Sequence, residues 1–178
     1  MEKKLPQRKR LRLPKYDYSS VGYYFITVCT KDKACVLGTI IGQVTAPSVI
    51  RLSNTGKIVE EEFHALEERF PHVTLDKYCV MPNHIHMIVR LASSEEGEAA
   101  GASPRPTRNI PQMIGAFKSV TTRRRNERYG TRGIPLWQAS YYDHVIRNEA
   151  DYLRIWQYIE DNPEKWADDQ YYTPERDS

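Results

Sequence analysis

The sequence predicts an α+β protein built on an antiparallel sheet, and three patterns point to this class. Residues 21–30 are rich in β-branched and aromatic residues, which are typical of strands. From His84 to Leu91, polar and apolar residues alternate with a period of two, as in a strand with one apolar face. Elsewhere, apolar residues recur at the spacing of amphipathic helices. Strands and helices therefore alternate along the chain.

The first part of the chain is predicted to hold one strand and one helix. Residues 1–20 carry many lysines and arginines and are expected to form an arm without regular structure. Residues 32–52 contain short apolar runs broken by glycine and proline, which favours a loop with irregular strand pieces. Ser53 can cap a helix that ends before Pro71, because a proline cannot continue a helix.

Two strands and a second helix follow. Residues 73–81 and 84–91 are predicted to be strands joined by a tight turn. Residues 92–108 are small and polar and include glycine and proline, which indicates a flexible insertion. Asn109 can cap the next helix, which is expected to end at Gly130.

The last part of the chain is predicted to supply one strand and a third helix. Tyrosine, valine and isoleucine favour a strand for part of residues 136–147. Residues 149–161 form a helix that Asn162-Pro163 closes. The apolar stripe that should pack on the sheet consists of Tyr152, Ile155, Trp156 and Ile159.

The order of these elements is strand, helix, strand, strand, helix, strand and helix. It matches a ferredoxin-like split βαβ antiparallel sheet with two helices on one face, the other face free, and a C-terminal helix that carries Tyr158. A chain of 178 residues is long enough for one real core. We expect one domain at residues 21–167, followed by an acidic tail at residues 168–178.

The composition indicates a globular protein of the cytoplasm. Hydrophobic residues make up 40% and charged residues 28%, and no apolar run is long enough to span a membrane. The N-terminus lacks the apolar core of a secretion signal. Three cysteines without a Cys-x-x-Cys pair suit a reducing compartment and exclude a cysteine-based structural zinc site.

The positive charge is concentrated in two places, although the net charge is only +3. One cluster is the N-terminal arm, and the other is the C-terminal half of the second predicted helix. Such clusters indicate a surface for a polyanion, with nucleic acid as the first candidate. The candidate DNA-binding residues on the helix are Lys118, Arg123, Arg124, Arg125 and Arg128.

A His-x-His pair is the main candidate for chemistry. His84 and His86 are two residues apart on a predicted strand, so both imidazoles project to the same side and can reach one point. Neutral imidazole is a common ligand of divalent metals, and two on one strand need only a third group. On the third predicted helix, Tyr158 and Asn162 lie four residues apart along one flank of the apolar stripe, where they can meet a ligand.

Four sequence blocks, in one order, extend this interpretation. The blocks are Met-Pro-Asn-His-Ile-His at 81–86, Ala-Phe-Lys-Ser-Val-Thr at 116–121, Leu-Trp-Gln-Ala-Ser-Tyr-Tyr-Asp-His-Val-Ile-Arg at 136–147, and the tyrosine block at 151–163. With these blocks, residues 22–165 resemble the single-tyrosine HUH transposases, most closely the REP-associated tyrosine transposases.

The resemblance implies a role for each candidate residue. His84 and His86 match the pair that holds a divalent metal, usually magnesium or manganese. Tyr158 matches the nucleophile, and Asn162 stands where a glutamine or asparagine completes the metal site. The family cuts single-stranded DNA, commonly beside a hairpin, and leaves a 5′-phosphotyrosine and a free 3′-hydroxyl. The resemblance is compatible with a monomer or a homodimer.

Other readings of the same residues stay open at this point. A non-catalytic nucleic-acid-binding module of ferredoxin-like fold would use the basic clusters without a metal. A two-histidine phosphoesterase would need a second His-x-Thr/Ser block or more carboxylates, and relaxases or replication initiators are usually larger. Tyr141 and Tyr142 are rival nucleophiles, and we place them below Tyr158 because the flank of a helix can approach a metal on a strand.

Overall fold

The computed structural model describes residues 17–43, 46–92 and 109–174. Most of the predicted arm (residues 1–16) and nearly all of the predicted insertion (residues 93–108) lie outside the described residues. None of the helices in the described part of the chain is long and apolar enough to cross a bilayer. In chain order, the strands and α-helices are β1 (Gly22–Cys29), β2 (Gly38–Gln43), β3 (Ala46–Leu52), α1 (Asn54–Arg69), β4 (Val73–Val80), β5 (His84–Leu91), α2 (Ile110–Tyr129), β6 (Tyr142–Ile146) and α3 (Glu149–Asp161).

The main sheet has four strands in the spatial order β4-β5-β1-β6, and every neighbouring pair is antiparallel. Because β1 and β4 both run antiparallel to β5, they are parallel to each other, and α1 connects them. This strand order is that of a split βαβ sheet. The predicted antiparallel α+β architecture is confirmed, and β1 and β5 lie at the centre of the sheet.

Helices α1 and α2 cover one face of the sheet, as predicted. The core beneath them takes alternate residues of the central strands, including Ile26, Ile85 and Met87. Both predicted helix caps form, because Ser53 Oγ accepts the Gly56 N–H at 3.0 Å and Asn109 Oδ1 accepts the Gln112 N–H at 3.1 Å.

The opposite face of the sheet is not free, and that expectation was wrong. Helix α3 packs on it through Ile155 and Ile159, which are buried against Phe25 and Ile88. The apolar stripe predicted for α3 needs a partner surface, and the second face of β1 and β5 supplies it. The histidine side of β5 is therefore an interior surface.

Residues 32–52, predicted to be a loop with irregular strand pieces, contain two regular strands. Strands β2 and β3 pair as a separate antiparallel two-stranded sheet. Gly38 was one of the residues that favoured a loop in the sequence analysis, but the pairing of the two strands requires a glycine at this position. A Cβ at this position would lie 2.7 Å from the carbonyl oxygen of Arg51 on the facing strand.

Candidate metal and nucleophile site

The two histidines of β5 project to the same side of the sheet, as their spacing predicts. His84 lies opposite Cys29 of β1, and His86 lies opposite Thr27. The Nε2 atoms of the two rings are 3.0 Å apart, so both rings face the same point. Both side chains are 0% exposed.

Hydrogen bonds behind the rings orient both imidazoles. The Nδ1 atom of His84 lies 2.9 Å from Asn83 Oδ1, and the amide nitrogen of Asn83 donates to backbone carbonyls on its other side. Because an amide oxygen only accepts, His84 Nδ1 carries the proton, and its Nε2 is the acceptor atom that faces His86. The Nδ1 atom of His86 lies 2.8 Å from the hydroxyl of Thr27, which can accept or donate. Such outer hydrogen bonds are typical of metal-binding histidines.

The environment keeps both imidazoles neutral. Burial lowers the pKa of His84 to about 4, although the Asp169 carboxylate acts in the opposite direction. Burial, and then the neighbouring His84, lower the pKa of His86 well below its ordinary value. Neutral imidazole is the form that binds metals, so both rings are ready to act as ligands at neutral pH.

Tyr158 comes from α3 and meets the histidines from the other side. Its hydroxyl lies 3.3 Å from His86 Nε2 and 3.3 Å from Asp169 Oδ2. Burial and the Asp169 carboxylate raise the pKa of Tyr158, so its hydroxyl keeps its proton at neutral pH. The candidate nucleophile and the His-x-His pair are brought into contact by the packing of α3.

Asn162 and Asp169 complete the group. Asn162 is 2% exposed, and its amide nitrogen donates to Asp169 Oδ2 at 2.8 Å. Its amide oxygen is buried and accepts no hydrogen bond of good geometry among the described residues, although Asn162 raises the pKa of the nearby His84. One ligand atom each from His84, His86 and Asp169 all lie within 4.8 Å of one another. Two neutral imidazoles, one carboxylate and one unused amide oxygen form a donor set that fits a divalent ion.

Asp169 is a site residue that the sequence analysis missed. It lies in residues 168–178, which were expected to form an acidic tail, and several acids there look alike in sequence. No periodic pattern distinguishes Asp169 from Asp168. Only its distances to Asn162 and Tyr158 connect it with the site.

Residues 166–173 cover the histidines. The ring of Tyr171 lies 4.7 Å from that of His84, and the ring of Trp166 lies 5.9 Å from it. Asn83 holds this segment in place by donating to the Tyr171 carbonyl at 2.8 Å and to Thr173 Oγ1 at 3.2 Å. A phosphate group can therefore reach the histidines only after this segment moves.

The predicted DNA-binding residues of α2 do not share one environment. Lys118 is half-buried and donates to the carbonyls of Gln138 and Ala139. The exposed Arg123 lines, with Lys118 and Arg132, a groove of about 870 Å³ between α2 and residues 130–139.

The remaining arginines of α2 point elsewhere. Arg124 pairs with Glu61 of α1, and Arg128 lies with it on a second hollow of about 440 Å³ that also includes Lys57. Arg125 lies over the ring of Tyr129, with 5.8 Å between the guanidinium carbon and the ring centre.

The two rival tyrosines are on opposite faces of the sheet. Tyr141 is buried in the core beneath α1 and α2, away from the histidines. Tyr142 lies on the histidine face, but two strands from β5, because it pairs with Thr27 of β1. Of the three candidate nucleophiles, Tyr158 is the one whose hydroxyl lies within 3.3 Å of His86.

The split βαβ sheet carries a His-x-His pair on a central strand that faces a tyrosine and an amide four residues apart on a helix, which is the arrangement expected from the resemblance to the single-tyrosine HUH transposases. The chain is 35% identical over 176 residues to an uncharacterized protein of Haemophilus influenzae, covering 93% of both chains. It is 24% identical over 152 residues to a protein of the same organism described as a REP-associated tyrosine transposase, covering 84% of this chain and 74% of that one.

A solved structure of a REP-associated tyrosine transposase bound to a REP hairpin has the same fold. The TM-score is 0.58 at 18% identity, with 87% of this chain and 74% of that chain covered. No family model matches the sequence. The sequence blocks, the relatives and the fold agree, and the chain is similar to the REP-associated tyrosine transposases in sequence and in fold.

Proposed function

We propose that this chain is a divalent-metal-dependent endonuclease and strand transferase that acts on single-stranded DNA through Tyr158. The position of the Tyr158 hydroxyl, 3.3 Å from His86 Nε2 and 3.3 Å from Asp169 Oδ2, carries the proposal. A nucleophile at this distance from the metal ligands can attack a phosphate bound at the same site without a large movement of α3.

The residues that would hold the ion are His84, His86, Asn162 and Asp169. Carboxylate and amide oxygens suit magnesium, and manganese also accepts imidazole. When bound, the ion would neutralise charge that develops on the scissile phosphate. The hydrogen bonds from Asn83 and Thr27 keep the rings in place for this task.

In the cleavage step, Tyr158 Oη attacks the phosphorus and the bond between phosphorus and the 3′ oxygen breaks. The Tyr158 proton passes to Asp169 Oδ2, which already accepts a hydrogen bond from this hydroxyl. The 3′ oxygen leaves as a hydroxyl with a proton taken from solvent water, Asp169 returns its proton to the solvent, and the 5′-phosphate stays on Tyr158. Attack by another 3′-hydroxyl reverses the step, so joining needs no nucleotide cofactor.

An unpaired strand beside a hairpin is the substrate that suits this site. The phosphate must lie between β5 on one side and α3 on the other, and base pairing would block that approach. Flipping a paired nucleotide would cost a few kcal/mol. A REP hairpin is bound in the solved relative of the same fold, which supports hairpin DNA as the partner.

The test is a search for a covalent protein–DNA adduct. Labelled stem-loop oligonucleotides with single-stranded flanks are incubated with the protein and manganese, and adducts are separated on denaturing gels. We expect an adduct with the wild type and none with Tyr158→Phe, which should still bind the DNA. Tyr152→Phe is the matched control, because Tyr152 is on the same helix but bonds to Asp76 away from the site.

Two results would contradict the proposal. An adduct of full yield in Tyr158→Phe, or one mapped to Tyr142, would remove Tyr158 from its role. DNA binding by the wild type without any adduct in manganese would favour a non-catalytic nucleic-acid-binding module.

A further inference from the structure

Tyr142 occupies the edge of the sheet on the same face as the histidines. It pairs with Thr27 of β1, and Thr27 pairs with His86 of β5. Side chains that face each other across neighbouring strands lie in one row, so Tyr142, Thr27 and His86 form a row on this face. Two inter-strand spacings separate Tyr142 from His86, which is roughly 10 Å. The nucleotides beside a phosphate bound at the histidines can span this distance.

The ring of Phe25 connects Tyr142 with the site. Phe25 stacks on His86 at 5.3 Å between ring centres and meets the ring of Tyr158 edge-on at 6.1 Å. It also meets Tyr142 at 6.3 Å with an angle of 70° between the ring planes. Phe25 therefore contacts Tyr142 at a steep angle and does not stack in parallel on its ring.

The side chain of Tyr142 is exposed enough for a planar ligand to stack on its ring. Its side chain is 43% exposed, whereas Tyr141, the next residue back along the chain, is buried in the core. Tyr129 is similarly exposed at 48%, but it lies beside Arg125 at the end of α2. A single exposed tyrosine needs no explanation by itself, but Tyr142 is in line with the candidate metal site.

The groove that contains Arg123 and Arg132 extends to Ala139, three residues before Tyr142 in the chain. Gln138 lines the groove as well. The backbone N–H of Gln138 donates to the Cys29 carbonyl at 2.9 Å, so this segment is joined to β1 directly beside the histidine strand. A DNA backbone that follows the groove would arrive at the Tyr142 edge of the sheet.

We propose that the ring of Tyr142 is a binding site for an unpaired nucleobase next to the scissile phosphate. This inference rests on the proposed function, because it takes single-stranded DNA as the ligand. Aromatic side chains in cationic grooves bind unpaired bases by stacking, and every base offers a suitable face. Tyr142 is then a DNA-binding residue, and its hydroxyl takes no part in the reaction.

Fluorescence of 2-aminopurine tests the proposal, because stacking quenches it. The probe is a stem-loop oligonucleotide with single-stranded flanks, with 2-aminopurine at each flank position in turn, without metal. We expect quenching at one or two positions with the wild type and with Tyr142→Phe, and none with Tyr142→Ala. The Kd of Tyr142→Ala for the flanked stem-loop should rise about 5- to 150-fold. The stem-loop without flanks should bind all variants equally, and Tyr129→Ala is the matched control.

Each outcome decides a different question. Quenching that persists in Tyr142→Ala overturns the inference, and so does a wild type that binds the flanked probe without quenching at any position. In the latter case, an adduct at Tyr158 would leave the proposed function standing. Quenching that depends on Tyr142 in a protein that forms no adduct would support the base site and overturn the proposed cleavage.

Discussion

Acid should destabilise this protein through its buried histidines. The pKa of His84 is about 4 in the folded chain and about 6.5 in the unfolded chain, and that of His86 is lowered as well. Between these values the unfolded chain binds a proton that the folded chain does not. Protons therefore favour unfolding, so the stability is fully present above the unfolded pKa and is lost as the pH falls towards the folded pKa.

The magnitude for His84 follows from its two pKa values. Between pH 7.5 and pH 4.5, its protonation should lower the free energy of unfolding by roughly 2–3 kcal/mol, and His86 adds to the loss. Urea unfolding, followed by tryptophan fluorescence at the two pH values, measures this difference. In His84→Gln the difference should shrink by about the contribution of His84.

His64→Gln is the control, because His64 is exposed on α1 and its replacement changes the histidine count without touching the site. The reasoning is refuted if His84→Gln loses as much stability at low pH as the wild type. That result would mean that His84 is hydrated or paired with a charge in the folded chain.

Three further predictions concern the ion and the DNA. His86→Ala should abolish cleavage and manganese binding, and EDTA should do the same to the wild type; cleavage that persists in EDTA would exclude the metal role. Asp169→Asn should weaken manganese affinity about tenfold or more in electron paramagnetic resonance titrations, because a carboxylate ligand loses its charge. The control Asp168→Asn should leave the affinity unchanged. Equal affinities of the two variants would remove Asp169 from the ligand set. Arg123→Ala should reduce the salt dependence of DNA binding more than Arg124→Ala, because Arg124 pairs closely with Glu61, whereas the more exposed Arg123 is 3.9 Å from Glu127. Equal salt slopes would show that the groove is not the DNA track.

Much of the fold could be predicted because local patterns set it. Ser53 and Asn109 cap their helices as expected, and the predicted third helix, residues 149–161, has the same bounds in the structure. Caps and apolar spacing act over a few residues, so they are readable without knowledge of the rest of the chain. The pairing of β2 with β3 was missed because it depends on a facing strand, and Gly38 looks the same in a loop and in a close strand contact.

The candidate site divides in the same way. The spacing of His84 and His86 sufficed to predict that both face one point, since side chains two apart on a strand share a face. The sequence blocks added Tyr158 and Asn162 through the family resemblance.

The sequence by itself thus determined which side chains share a face of a strand or helix, because backbone periodicity decides that locally. Only the tertiary structure decided what lies opposite each face. It buries the histidines beneath α3 and residues 166–173, brings Asp169 to Tyr158, and places Tyr142 in the row of His86. These contacts join residues that are far apart in the chain, and they arise from strand order and helix packing, which no short stretch of sequence contains.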